Sequence, residues 1–158
     1  LWLGATGNAF YFGNFKFEKA AEFDGTVCDF DSNKVVSVNI TNTNATVSVI
    51  DDPTGNGHGK VLSYSVTNGI WDNILSFDGF SDIKTLAEKQ GYTTLTFDYY
   101  VTDSVSGVRF CGVEFDVKSK NTWVKGSIEV SKLLESDNLF WIDGAAGSIY
   151  FDNFKLEK

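Results

Sequence analysis

Alternation of apolar and polar residues with a period of two runs through most of the chain and predicts β-strands. Residues 92–102 are the clearest example, because one set of alternate positions is apolar and the other is polar. The apolar set, which we expect to face a core, is Leu95, Phe97, Tyr99 and Val101. The polar set is Thr94, Thr96, Asp98 and Tyr100. This segment is therefore predicted to be a strand with one buried face.

Similar runs recur at regular spacing between clusters of turn-forming residues. The other predicted strands are residues 35–40, 45–50, 60–66, 70–77, 108–117, 122–130, 138–142 and 148–156. In residues 108–117 the register stays open, because a bulge at Gly112 would exchange the two faces. Helical spacing is confined to residues 81–90, with Ser81 as N-cap and Gly91 as the stop, and to a short turn at residues 132–135. About nine strands with so little helix predict an all-β fold, a β-sandwich of two antiparallel sheets rather than a parallel sheet.

The end of the chain repeats its beginning. Residues 1–19 laid over residues 140–158 give eight identities, and both segments carry an aromatic phrase that ends in Lys. A phrase that appears twice at a fixed distance is typical of tandem modules. We therefore expect one module at residues 20–158, with residues 1–19 as the C-terminal strand of a preceding copy or an extra N-terminal strand. Two unrelated aromatic strands are the alternative.

Composition narrows the class of partner. The net charge of −8 disfavours nucleic acid and anionic membranes, so a neutral partner or a bound cation is predicted. No apolar run approaches the length of a transmembrane span. Cys28 and Cys111 are too few for a disulfide scaffold and lack metal-ligand spacing, which leaves two buried thiols or one bridge as the alternatives.

The residues for catalysis are sparse. The single histidine, His58, stands in a Gly-rich loop without a nucleophile motif, and no pair among the 21 carboxylates has distinctive spacing. We therefore predict that the chain is not an enzyme. Acidic residues near the two ends of the module suggest another role, since Asp24 opens it and Asp152 interrupts the closing aromatic strand. A calcium ion bound by both would satisfy the buried charge, and a carboxylate that accepts backbone N–H groups is the equal alternative.

Three aromatic residues stand beside polar ones in predicted strands. Tyr100 shares a face with Asp98, Trp71 precedes Asp72 and Asn73, and Trp141 lies just before the closing phrase. An exposed ring covers the apolar face of a sugar while neighbouring polar groups bind its hydroxyls, and burial of about 100 Å² contributes roughly 2.5 kcal/mol. Core packing is the competing interpretation for each ring.

The order of several short motifs resembles that of β-jelly-roll carbohydrate-binding modules, most closely those of family 11. These motifs are Phe23-Asp24-Gly25, Thr54-Gly55-Asn56-Gly57, Leu62-Ser63-Tyr64-Ser65, Gly69-Ile70-Trp71, Thr96-Phe97-Asp98, Thr122-Trp123 and Phe151-Asp152-Asn153-Phe154-Lys155-Leu156. The resemblance implies a jelly roll that binds a plant-type polysaccharide, in particular a β-glucan. It also implies a secreted protein in which the module is linked to a glycoside hydrolase or to tandem modules.

The resemblance also assigns roles to residues. It implies a structural Ca²⁺ held by Asp24 and Asp152, with a carbonyl of Lys60 as a further ligand. Trp141 matches an aromatic residue of the concave sugar-binding face, and Phe115 falls on another. Ile70 replaces a family tyrosine, and a family insertion before Thr122 is missing, so a shallower cleft is expected. A structural or adhesin-like interaction domain of the same fold remains the alternative function, because fold alone does not fix function.

Overall fold

Antiparallel strands make up most of the computed structural model, which describes residues 23–32, 38–40, 45–67, 75–77, 80–110, 113–115, 117–135, 140–144 and 147–158. Its strands are β1 (Thr26–Cys28), β2 (Val38–Ile40), β3 (Ala45–Asp51), β4 (Lys60–Val66), β5 (Leu75–Phe77), β6 (Thr94–Val101), β7 (Val105–Phe110), β8 (Val113–Phe115), β9 (Trp123–Glu129), β10 (Phe140–Gly144) and β11 (Gly147–Glu157). Its helices are α1 (Phe80–Gln90) and α2 (Val130–Glu135). The predicted all-β class is confirmed.

Two sheets account for all of these strands. Sheet A has the order β3-β4-β11-β6-β9, and β1 also pairs with β11. Sheet B has the order β2-β5-β10-β7-β8. The strands that neighbour one another are mostly distant in the sequence, and the pairs are antiparallel. This arrangement is a β-sandwich, as predicted.

Phe97 lies where the inner faces of the two sheets meet. Its ring lies 5.3 Å from that of Phe115 on sheet B and 5.2 Å from that of Phe154 on sheet A. Gly126, its cross-strand partner, leaves the space that this ring fills, since a Cβ there would come within 2.7 Å of it. The four apolar residues predicted for the inner face of β6 are all buried. Alternation along β6 therefore placed the core correctly.

A β-bulge in β11 explains why two phenylalanines three residues apart both reach the core. The register with β6 shifts between Asp152 and Lys155, and Asn153 has a φ of 53°. The extra residue restores Phe154 to the inner face after Phe151, and both side chains are buried. Asp152 is left on the outer side of sheet A, immediately before the bulge.

Helix α1 begins one residue before the prediction and ends where it was expected to end. Gly91 adopts a φ of 70°, and the backbone N–H of Tyr92 donates to the carbonyl of Ala87 at 3.0 Å. This is the Schellman geometry that a glycine after the last helical turn allows. Among the described residues, no helix is long and apolar enough to cross a membrane.

The sequence missed two features of the strand order. No strand was predicted at β1, because three residues are too few to show alternation. The single strand predicted at residues 108–117 is wrong, since Val108 of β7 pairs with Phe115 of β8 and Phe110 with Val113 in antiparallel register. The predicted tail at residues 1–19 and Cys111 lie outside the described residues, and Cys28 is buried.

Substitution of Tyr64 tests whether its buried hydroxyl destabilises the core. Its hydroxyl is buried and has no hydrogen-bond partner among the described residues, and burial raises the pKa of this phenol. Because an unpaired buried hydroxyl is unfavourable, Tyr64→Phe is expected to raise the free energy of unfolding by about 1 kcal/mol in denaturant titrations.

The same substitution at Tyr92 is the matched control. The Tyr92 hydroxyl donates to the carbonyl of Phe23 at 3.1 Å, so Tyr92→Phe is expected to lower stability by about 1 kcal/mol. Equal losses in the two variants would show that the Tyr64 hydroxyl is hydrogen-bonded in solution.

Candidate functional site

A row of side chains crosses the outer face of sheet A at right angles to the strands. Residues that pair across an antiparallel sheet share a face, and the register continues over five strands. The row consists of Ser48, Ser63, Tyr150, Tyr100 and Trp123. The ring of Tyr100 lies 5.7 Å from that of Tyr150 and 5.7 Å from that of Trp123. The outer face therefore carries three contiguous aromatic residues, all half-buried.

The loop between β3 and β4 folds over one end of this row. The carboxylate of Asp52 accepts the backbone N–H groups of Thr54, Asn56 and His58, which closes the loop on itself. Burial by itself raises the pKa of Asp52, but these bonds and the Thr54 hydroxyl outweigh it and hold that pKa below its usual value. Hydrogen bonds between the Asp52 side chain and the backbone of the loop therefore fix the conformation of the loop.

Trp123 is the point at which the loop contacts the sheet. Its indole N–H donates to the Thr54 hydroxyl at 2.9 Å, and the His58 ring stacks on it with centroids 3.8 Å apart. His58 continues to Asp152, whose Oδ2 lies 2.8 Å from its Nδ1. His58 therefore links Trp123 on β9 to Asp152 on β11.

Asp152 is the buried carboxylate that the sequence singled out. It is 2% exposed, and its other oxygen accepts the backbone N–H of Asn153 at 2.7 Å. Burial raises the pKa of Asp152, while the hydrogen bonds from His58 and Asn153 act against that rise. The charge among aromatic residues is thus satisfied by a histidine and a backbone amide.

The structure does not bring the predicted calcium ligands together. Asp24 is exposed, accepts the N–H of Thr26, and precedes Gly25, whose carbonyl accepts the N–H of Leu156. Asp152 lies four residues before Leu156 along β11, and the β-bulge separates the two. The backbone N–H of Lys60 donates to Asp31 at 2.8 Å. No group of three or more His, Cys, Asp or Glu side chains among the described residues could hold a metal ion.

Trp141 lies on the other sheet. Its backbone pairs with that of Arg109, which pairs with Glu114 on the next strand. The neighbouring cross-strand row, Ile142, Val108 and Phe115, faces inward. Alternation therefore places residue 141 on the outer face of sheet B. Arg109 and Glu114 form an ion pair on that face.

The five residues predicted to bind sugar consequently do not form one group. Tyr100 and Asp98 lie on the outer face of sheet A, and Trp141 lies on the opposite side of the sandwich. Phe115 lies on the inner side of sheet B, where its ring contacts Phe97 and Tyr99. Trp71 lies outside the described residues. Their roles in binding stay predictions.

Sequence reasoning did not select Trp123, Tyr150 or His58 for the outer face of sheet A. Alternation did contain a signal for Tyr150, since it precedes the inward-facing Phe151. Nothing local could have found His58, because its contacts depend on how the loop folds over the sheet. Cross-strand register was needed to reveal the row.

Comparison with known proteins gives the fold. No protein-family model matches the chain, and no curated protein matches it. A solved family 11 carbohydrate-binding module from Clostridium thermocellum, in complex with a β-1,3-1,4-mixed-linked tetrasaccharide, gives a TM-score of 0.51 with 19% sequence identity, covering 84% of this chain and 94% of that one. The family 11 module of cellulosomal cellulase Lic26A-Cel5E of Clostridium thermocellum gives a TM-score of 0.48 with 16% identity, covering 84% and 92%. The former shows that this chain has the fold of such a module, which confirms the predicted resemblance at the level of fold.

Proposed function

We propose that the chain is a non-catalytic carbohydrate-binding module that binds a neutral plant-type polysaccharide, with a β-glucan as the first candidate. The observation that carries the proposal is the position of Trp141 on the outer face of a sheet in a fold shared with a glycan-binding module. Linkage to a glycoside hydrolase or to tandem modules, and secretion, belong to the same proposal.

The outer face of sheet B has the composition that such binding needs. Asp143 pairs with Gly107 two positions from Trp141, and the Arg109–Glu114 ion pair lies alongside. By the same register, Ser76 lies on the adjacent strand β5, and its partner Asn39 lies on β2, the next strand. Polar groups therefore surround an aromatic position, so ring stacking and hydroxyl recognition can be combined.

Affinity electrophoresis tests the ligand class. Soluble β-glucans, xylan, mannan and starch are cast separately in native gels, and retardation by β-glucan alone is expected. Uniform migration in all gels would instead favour the structural or adhesin-like alternative, for which the repeated phrase at residues 1–19 is the supporting observation.

Calcium binding is proposed as a separate property with its own test. Since binding to the native state alone adds about 1.4 kcal/mol at a free ion concentration ten times the Kd, chelation is expected to lower the Tm. We expect Asp152→Ala to remove that difference. Asp24→Ala is the informative control, because the Asp24 carboxylate is exposed and accepts the backbone N–H of Thr26, so its removal is expected to keep the difference. Identical melting curves in excess Ca²⁺ and in excess chelator would contradict calcium binding.

A further inference from the structure

The aromatic row on the outer face of sheet A is not accounted for by the proposed site. Solvent-facing positions of a sandwich strand are normally polar, yet three adjacent strands place Tyr150, Tyr100 and Trp123 side by side there. Their rings contact one another, and none of the three belongs to the core between the sheets. Three adjoining aromatic rings on a face that is normally polar offer a surface on which a ligand can stack.

Trp123 is fixed before any ligand arrives. The Thr54 hydroxyl holds its indole N–H, and the stacked His58 ring holds one face of the indole. Asp152 in turn orients His58. Because a ring held in place loses little conformational freedom on binding, the row is preorganised for a ligand that stacks on it.

The groups around the row favour a neutral, hydroxyl-rich ligand. Ser63 and Ser48 extend the row across β4 and β3. On the neighbouring row Asp98 faces Lys125 across the strands and accepts a hydrogen bond from the Asn153 amide at 2.8 Å. Lys125 forms an ion pair with Glu157, so charges of both signs are balanced beside the rings. Ser63 is buried, but the Ser48 hydroxyl and the Asn153 amide are exposed and can bind sugar hydroxyls.

The size of the surface argues against a protein partner. Each of the three rings is half-buried, so together they expose only a fraction of the roughly 150–250 Å² that each could bury. A stable protein interface needs about 800 Å² on each partner. The exposed rings suit a narrow chain that crosses the sheet.

We propose that the outer face of sheet A is a second glycan-binding surface, on the opposite side of the sandwich from Trp141. The choice of β-glucan as ligand rests on the proposed function, whereas the surface itself does not depend on Trp141. A module with two such faces would bind two polysaccharide chains and hold them together.

Titration of Trp141→Ala protein with the β-1,3-1,4-mixed-linked tetrasaccharide tests this. Saturable binding is expected to persist after the first face is disabled, and Tyr150→Ser in that background is expected to weaken it about tenfold. Ser127→Ala, on the same face of β9 but away from the row, is the matched control and should leave the affinity unchanged. Tyr150 is preferred to Trp123 for substitution because Trp123 also anchors the loop.

Three outcomes would overturn the proposal. Loss of all binding in Trp141→Ala protein, with an unchanged Kd in Tyr150→Ser protein, would leave sheet B as the binding face and the proposed function intact. Absence of tetrasaccharide binding by the unsubstituted protein would overturn both. A concentration-dependent dimer that Tyr150→Ser dissociates would assign the row to a second copy of this chain.

A spectroscopic readout covers the case in which Tyr150→Ser does not fold. The indole Nε1–H resonance of Trp123 in the unsubstituted protein is expected to shift during the same titration, as are backbone amides of Tyr100 and Tyr150. If these resonances stay fixed while the protein binds the tetrasaccharide, the second surface is ruled out.

Discussion

Trp141→Ala is expected to weaken β-glucan binding at the outer face of sheet B by nearly two orders of magnitude while leaving the fold intact. Removing a ring that covers about 100 Å² of a sugar costs roughly 2.5 kcal/mol. The register of β10 with β7 gives residue 141 an outward position beside Arg109, so the core between the sheets does not require a ring at this position. Isothermal titration at a fixed salt concentration gives the Kd, and a thermal melt gives the stability.

Two further variants make the result specific. Trp141→Phe keeps a ring at the same position and should retain much of the affinity. If Trp141→Ala acted only by disturbing the strand, a ring at this position would not matter for binding. Arg109→Ala breaks the neighbouring ion pair and is expected to reduce the affinity less than Trp141→Ala does. If Trp141→Ala instead lowers stability by roughly 3–5 kcal/mol and still binds glucan, the residue belongs to the core and its assignment is wrong.

Asp152→Ala is expected to lower the free energy of unfolding by about 3 kcal/mol. The substitution leaves the Nδ1–H of His58 and the backbone N–H of Asn153 without their acceptor in a largely buried place. It also releases His58 from Asp152, which is one of the three contacts between the loop and the sheet. Urea denaturation in the presence of chelator measures this loss separately from any effect of calcium.

Asp152→Asn and Asp98→Ala are the controls for that measurement. The asparagine keeps an acceptor for the N–H of Asn153, so it should cost less than alanine. Asp98 pairs with Asp152 across the strands but is more exposed, and its removal should cost under about 1 kcal/mol. His58→Ala completes a double-mutant cycle, in which additive losses would show that the His58–Asp152 contact is absent in solution.

The sequence determined the class of fold through the alternation of its strands. Leu95, Phe97, Tyr99 and Val101 lie in the core as the pattern along β6 requires, because a pleated strand sends successive side chains to opposite faces. Gly91 determined the end of α1 for an equally local reason, since glycine readily takes the positive φ that ends a helix. The order of short motifs was sufficient to suggest the family fold.

Tertiary structure decided which outward-facing residues share a surface. Alternation along β6 shows that Tyr100 lies opposite the core residues, but it shows neither the face of Trp141 nor that the two residues are on opposite sides of the sandwich. That depends on the assignment of β6 to sheet A and β10 to sheet B, which is set by contacts between strands far apart in sequence. The same contacts bring Tyr150 and Trp123 beside Tyr100. They also set Asp24 beside the end of β11, on the far side of the bulge from Asp152. His58 is the clearest case of contacts that the sequence alone could not predict, because its contacts with Trp123 and Asp152 form only when the loop closes over the assembled sheet.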